Sequence, residues 1–322
     1  ANKPGTQLNQ VFLDALNDSN YQVKQAAISA IGKRKDARFV KPLVALLNSS
    51  NSKLRSSAAY ALKGLVKFCS ETELLTLVKS DHRSLKLATL SALGQYDSPE
   101  AIESLAEAAT DKSSTVRLKA VEALVKIEDE RTVRPLIVAL KDSYYKIRDT
   151  AIKGLGRRQE TAAIPALFDL LEAQKSEKKT SRYSRKRRYS SRRSSVTISI
   201  LDALTRIGGE LPADRILVQL RKMDYKTKYT WKTLAIKTTD PKAADLFVPA
   251  LSESNSGFVR FMIEILGSRK ERAAVEPLIE KLKSKDRGIK RTAHTALESI
   301  TGQRIKAKYK KWRKWWEKNK WM

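Results

Sequence analysis

The chain has 322 residues, with 64 Lys and Arg against 35 Asp and Glu, a formal net charge of +29 at neutral pH. Glycine (12) and proline (9) are scarce for an all-β or loop-rich fold, one cysteine excludes a disulfide framework or a cysteine-based zinc site, and two histidines leave little material for metal binding. No apolar run reaches the roughly 18 residues of a membrane-spanning helix, and the positive field favours polyanions or acidic proteins.

An apolar residue followed by a base recurs at Val23-Lys24, Leu54-Arg55, Leu85-Lys86, Val116-Arg117 and Ile147-Arg148, each base 31 residues after the last. The register resumes at Lys228, Val259-Arg260 and Ile289-Lys290, and the step from 148 to 228 is two periods plus 18 residues. The repeat therefore continues through 149–227 and carries one insertion. A first helix is predicted in each period, over segments such as 40–48, 133–142, 164–172, 247–254 and 275–284, where apolar residues fall at i, i+3, i+4 and i+7. Pro42, Pro135, Pro165, Pro249 and Pro277 stand near the starts, where a missing N–H costs nothing. A second helix is predicted over 54–65, 116–127 and 147–158, with small residues such as Ala58, Ala88, Ala120 and Ala151 on its inner face. Asp18, Asp81, Asp111 and Asp142 fall in the turn between the helices, where they are placed to cap the second one. Two stretches depart from the pattern. Residues 196–209 lack the base, and 224–240 put Tyr229 and Trp231 where other periods have small core residues, so an irregular stack is expected there.

One such helical pair cannot bury its apolar face alone, whereas stacked copies can. The expected fold is all-α: a right-handed α-solenoid of about nine helical pairs over residues 1–303, starting near residues 8, 40, 73, 101, 133, 164, 212, 246 and 275, closed by a capping helix in 304–322. Across 8–303 the LxALxD…VRxxAAxALG pattern resembles the bacterial HEAT-like repeats, the group that includes the phycocyanobilin-lyase type. That resemblance implies the solenoid and leaves the activity open, because such repeats host many functions. Bilin lyases and, more distantly, DNA glycosylases occur in the family, but no catalytic constellation of either can be placed on this sequence.

The charge is concentrated. Residues 174–193 hold ten bases against Glu177, and 304–322 hold nine against Glu317. The first segment is the insertion within the sixth repeat. It is rich in Ser and Arg and without apolar periodicity, so it is expected to lack regular structure in isolation. It reads either as a solvated basic loop or as an arm that docks on an acidic surface or a phosphate backbone. Its candidate partner-binding residues are Lys178, Lys179, Arg182, Tyr183, Arg185, Lys186, Arg187, Arg188, Tyr189, Arg192 and Arg193. The second segment carries Trp312, Trp315, Trp316 and Trp321. Ile305, Tyr309, Trp312 and Trp316 are spaced to form one aromatic helix face, as a solenoid cap requires. Trp315 and Trp321 lie off that face, which leaves the four tryptophans open to contact with a partner or a lipid interface. The ending ITGQ…WRKWWEKNKWM resembles the closing helix of HEAT-repeat scaffolds from bacteria with internal compartments, including anammox bacteria, among them a tubule-forming scaffold of nitrite oxidoreductase.

No phosphate-binding loop or dinucleotide fingerprint is present, and Gly208-Gly209 reads as a helix C-cap. His82 and His294 have no second histidine at ligand spacing, and Cys69 sits in an apolar context that suits a buried small residue. The expectation is therefore a chain without catalytic, cofactor or metal sites. It would act as an assembly scaffold for acidic protein partners, for instance a multi-subunit redox enzyme, and as a homo-oligomer that extends into filaments. The alternative is a nucleic-acid binder using the arm and the Trp/Lys tail. The beginning ANKPGTQ looks like that of a processed, exported protein, which points to a periplasm-like or internal bacterial compartment, with the cytoplasm as the other possibility.

Overall fold

The computed structural model describes residues 4–34, 36–176, 186–222 and 227–321; the side chains of 4–7, 174–176 and 186–195 lie outside the description. The described residues form nineteen α-helices and short 3-10 turns, with no strand. They fall into two compact units, Ala1–Leu155 and Gly156–Met322, so the C-terminal segment belongs with the second half of the repeats.

Five helical pairs build the first unit: α1 (Pro4–Asn17) with α2 (Tyr21–Arg34), α3 (Val40–Leu46) with α4 (Ser52–Leu65), α5 (Glu71–Leu77) with α6 (Arg83–Leu93), α7 (Pro99–Ala108) with α8 (Ser114–Leu124), and α9 (Val133–Ala139) with α10 (Tyr145–Arg157). The second unit continues with α11 (Ile164–Ser176) and α12 (Lys186–Ile207), α13 (Ala213–Arg221) and α14 (Lys228–Lys237), α15 (Ala243–Phe247) and α16 (Ser256–Arg269), α17 (Val275–Lys281) and α18 (Arg287–Thr301), and ends in α19 (Tyr309–Asn319). These are the nine pairs and closing helix read from the periodicity.

Inside each unit the second helices form one row: α2 lies against α4, α4 against α6 and α6 against α8, then α12 against α14, α14 against α16 and α16 against α18. The first helices form the other row, as in α3–α5–α7, and α19 continues it by packing on α17. Each apolar stripe is thus buried between neighbours, and Leu43, Leu62, Leu93, Leu124, Leu204, Leu234 and Leu266 are fully buried. Burial of each such side chain contributes about 1.5–3 kcal/mol.

Four of the five prolines keep their expected place, with a refinement, whereas Pro249 follows the end of α15 and opens a 3-10 turn at Pro249–Ser252. Pro42, Pro135, Pro165 and Pro277 each occupy the first turn of an α-helix that is entered through a 3-10 turn, at 37–39, 130–132, 161–163 and 272–274. Their missing N–H groups belong to the first turn, which has no intrahelical acceptors. The irregular stretch is also resolved in part: Trp231 is buried and packs 6.1 Å from the Phe168 ring, whereas Tyr229 is exposed and is not a core residue. Gly208 and Gly209 end α12 at φ of 62° and 74°, the left-handed conformation of a C-cap.

Neighbouring second helices approach closely where a glycine faces an alanine. A Cβ on Gly267 would sit 2.8 Å from the Cβ and 3.0 Å from the Cα of Ala296 on the next second helix. Gly64 differs, since a Cβ there meets only the Gly32 carbonyl at 3.6 Å. Gly267→Leu is therefore expected to destabilise the protein by about 1–3 kcal/mol through overpacking, and Gly64→Ala to stabilise it by up to about 1 kcal/mol by removing a helical glycine. Urea unfolding of the two variants checks both signs.

Candidate partner-binding site

The recurring base of the repeat has a structural task. Arg55, Arg117 and Arg148 each stand at the start of a second helix and reach back with Nη1 to two carbonyls of the preceding turn. For Arg117 these are Asp111 O at 2.9 Å and Lys112 O at 3.2 Å, for Arg148 Asp142 O at 2.7 Å and Ser143 O at 3.1 Å, and for Arg55 Ser49 O at 2.7 Å and Ser50 O at 2.9 Å. The guanidinium thereby satisfies carbonyls that the end of the first helix leaves open. Sequence reasoning saw the 31-residue register but missed this role; the signal was the constant offset of six residues from Ser49, Asp111 and Asp142 to the arginine.

The turn aspartates need a correction. Asp18, Asp111 and Asp142 do not cap the second helix itself. Each Oδ1 accepts the N–H two residues on, from Asn20 at 2.6 Å, Ser113 at 2.7 Å and Tyr144 at 2.7 Å, which closes the turn before the helix begins. Side-chain caps of the expected kind come instead from Asn51 on α4, Asn255 on α16 and Asp286 on α18. Asp142 has a second function. Arg117 of the previous pair donates to it through Nε at 2.7 Å and Nη2 at 3.0 Å, a two-pronged bridge between successive repeats. Burial works against the Asp142 carboxylate, but the Arg117 fork, the Tyr144 N–H and the charges of Arg117 and Arg148 outweigh it and hold its carboxyl below the usual range. The second unit also ties its carboxylates to bases: Asp169 and Glu172 to Arg215, Glu253 to Arg221 and Glu264 to Lys232.

Of the arm, Lys178, Lys179, Arg182, Tyr183 and Arg185 lie outside the described residues. Lys186, Arg187, Arg188, Tyr189, Arg192 and Arg193 lie on the backbone of α12, which starts at Lys186 and spans 22 residues. The insertion is thus not wholly irregular, as its composition suggested. Extending a helix that the apolar run from Val196 already anchors adds one hydrogen bond per residue without a new nucleus, and Lys, Arg, Ser and Tyr tolerate it.

The C-terminal segment is a cap. Trp312 is fully buried, 6.1 Å from the His294 ring and 5.8 Å from Trp315, which in turn stacks 6.3 Å from Trp316. His294 donates through Nε2 to the Ile305 carbonyl at 2.6 Å, Arg313 pairs with Glu276 at 2.6 Å, and Arg272 bonds the Asn319 carbonyl. Trp312 is therefore corrected from partner contact to core, and Trp315 and Trp316, half-buried in the same cluster, are mainly structural as well. Trp321, 89% exposed, is the one tryptophan of the four that remains available. The solvent side of α19 presents Lys310, Lys314 and Lys318 at i, i+4 and i+8, in line with Trp321.

Cys69 is buried, and burial pushes its thiol up to about 11, as suits an inert core residue. Among the described residues no group of His, Cys, Asp or Glu side chains is placed to hold a metal ion, and no helix is long and apolar enough to cross a membrane.

A family model of HEAT repeats matches residues 9–74 and 71–144. A curated relative, the phycocyanobilin lyase subunit alpha of Synechococcus elongatus, is 41% identical over 81 residues, 23% of this chain; the match spans only 30% of that relative's length. Among solved structures, importin beta superposes with a TM-score of 0.49 at 12% identity, over 92% of this chain and 47% of its own. The complex of CpcE and CpcF of phycocyanin lyase from a Nostoc species gives 0.39 at 20% identity, over 74% and 89%.

Three outcomes follow from these contacts. Arg117→Ala is expected to cost about 2 kcal/mol, as it removes charged hydrogen bonds to Asp142 and two carbonyls. Because the Asp142 carboxyl is depressed in the folded state, its contribution is present above the unfolded carboxylate value of about 4 and is lost as pH falls through the lower folded value; Asp142→Asn should flatten the acid limb of a stability-against-pH curve. In the cap, Trp312→Ala should cost about 3–5 kcal/mol and Trp321→Ala less than about 0.5 kcal/mol, read by chemical unfolding.

Proposed function

We propose that this chain, a HEAT-like repeat protein of the bacterial type, is a non-catalytic scaffold that holds acidic protein partners through the basic segment 174–193. The observation that carries the reading is the charge placement. Ten bases stand against the single acid Glu177 in the segment 174–193, whereas the carboxylates of Asp169, Glu172, Glu253 and Glu264 in this and the following repeats are committed to internal pairs. A segment so unbalanced attracts an acidic surface over a Debye length of about 8–10 Å. A rigid repeat carrier fixes where that attraction acts. Association with other chains also accords with the printed name of the curated relative, a lyase subunit.

The reading extends to self-association into filaments or tubules, and to organising a redox enzyme such as nitrite oxidoreductase in an exported or internal compartment. That extension rests on the resemblance of the tryptophan-rich ending. An enzymatic role, as in the relative's name, competes with it. So does nucleic-acid binding, which the net charge of +29 favours.

The test replaces the ten bases of 174–193 by glutamine in the full chain. Circular dichroism should be unchanged, capture of acidic proteins should be sharply weakened, and sedimentation of any polymer should be lost. Unchanged capture would remove the arm from the account. Co-purification of nucleic acid, with affinity falling by roughly 0.7–0.9 log units per log unit of salt for each phosphate contact, would select the alternative.

A further inference from the structure

α2 and α4 lie side by side, and an open groove of about 800 Å³ runs between their exposed faces, within the size range of ligand pockets. Small residues make it. Gly32 and Ala61 stand face to face, the Cβ position of Gly64 has nothing nearer than the Gly32 carbonyl at 3.6 Å, and Ser29 and Ser57 contribute little volume. Tyr60 stands beside them 77% exposed, the most exposed of the large apolar and aromatic residues described in the first unit. Lys33 and Lys63, in the last turns of the two helices, complete the lining, and no acid lines the groove.

The surrounding charge is equally one-sided. The neighbouring second helices α2, α4 and α6 carry eight bases and no acid, whereas α8, α10, α16 and α18 include Glu122, Asp149, Glu264 and Glu298. Lysines in a last helical turn complement the helix dipole, which accounts for a base at Lys33 and Lys63. It does not account for the missing side-chain volume beside them, nor for an exposed tyrosine over it.

We propose that this groove is a docking site for an extended acidic peptide segment of a protein partner. An apolar side chain of the segment lies over Gly32 and Ala61 against the Tyr60 ring, and flanking carboxylates pair with Lys33 and Lys63. The inference rests on the reading that the chain binds acidic proteins, and it assigns part of that binding to a second place, away from the basic arm. A protein segment fits better than a nucleic acid, because a phosphate backbone is tracked by a longer row of bases, while here two lysines flank a trough with one aromatic wall.

The experiment measures fluorescence anisotropy of a fluorescein-labelled nonapeptide of Glu and Gly with a central Leu, titrated with the full chain. Gly64→Trp fills the trough at an exposed position where a Cβ has nothing nearer than the Gly32 carbonyl at 3.6 Å, and Lys33→Glu with Lys63→Glu reverses its charge on the surface. Each variant is expected to weaken binding at least tenfold, with circular dichroism unchanged, whereas the arm with its ten bases neutralised should stay within twofold of the wild type. Binding that survives both groove variants within twofold, or no binding by the wild type, overturns the proposal. Loss of binding on arm neutralisation alone overturns the groove and leaves the arm reading standing. A labelled oligodeoxynucleotide whose binding is lost in Gly64→Trp while the peptide's is not also overturns it, because the groove would then be a nucleic-acid site.

Discussion

Everything in this molecule depends on a helical pair that cannot bury its own apolar face. Each second helix packs on the first helix of its own pair and on the next second helix in the row, so its apolar stripe is closed only when copies stack. That requirement selects small residues where neighbouring second helices meet: Ala61 against Gly32, Ala123 against Gly94, Ala296 against Gly267. It also fixes the polar chemistry, since closely packed helices leave the carbonyls of each connecting turn without partners. Arg55, Arg117 and Arg148 supply the donors, and Arg117 additionally joins one repeat to the next through Asp142.

After the ninth pair α19 packs on α17 with aromatic bulk in place of the repeat pattern. The Trp312–Trp315–Trp316 cluster does for α17 and α18 what a tenth pair would otherwise do, while the lysines of α19 face solvent. The helix therefore serves stability on one side and charge on the other. The same division runs through the second helices of the first unit, where α2 and α4 pack through Ala27, Ile28, Ala58 and Leu62 and present bases, glutamines, small residues and the Tyr60 ring outward.

Most of the architecture was legible in the sequence because it is periodic. A base every 31 residues, prolines at helix starts and alanines at core positions each report the same repeat, and agreement among them placed all nine pairs. What escaped was chemistry that depends on distance between turns. Asp142 and Arg117 are 25 residues apart, and nothing in a single period distinguishes an aspartate that closes its own turn from one that also receives a neighbour's guanidinium. Tyr229 and Trp231 look alike as bulky intrusions, yet two residues on a helix turn by about 200°, and only Trp231 faces Phe168. Trp315 lies off the predicted stripe but reaches Trp312 because aromatic rings span more than one helical position. The groove between α2 and α4 was not legible at all, since it is made by what Gly32 and Gly64 lack, and a glycine in a sequence does not say which neighbour it faces.

The central claim is that a repeat protein presents concentrated positive charge to acidic proteins. It is tested most directly by lysine-reactive cross-linking and mass spectrometry of the protein purified with its partner from its native source. Cross-links should run from Lys178, Lys179 and Lys186 to acidic stretches of another polypeptide. Cross-links confined to the chain itself, with nucleic acid or a small-molecule substrate as the co-purifying component, would contradict the account.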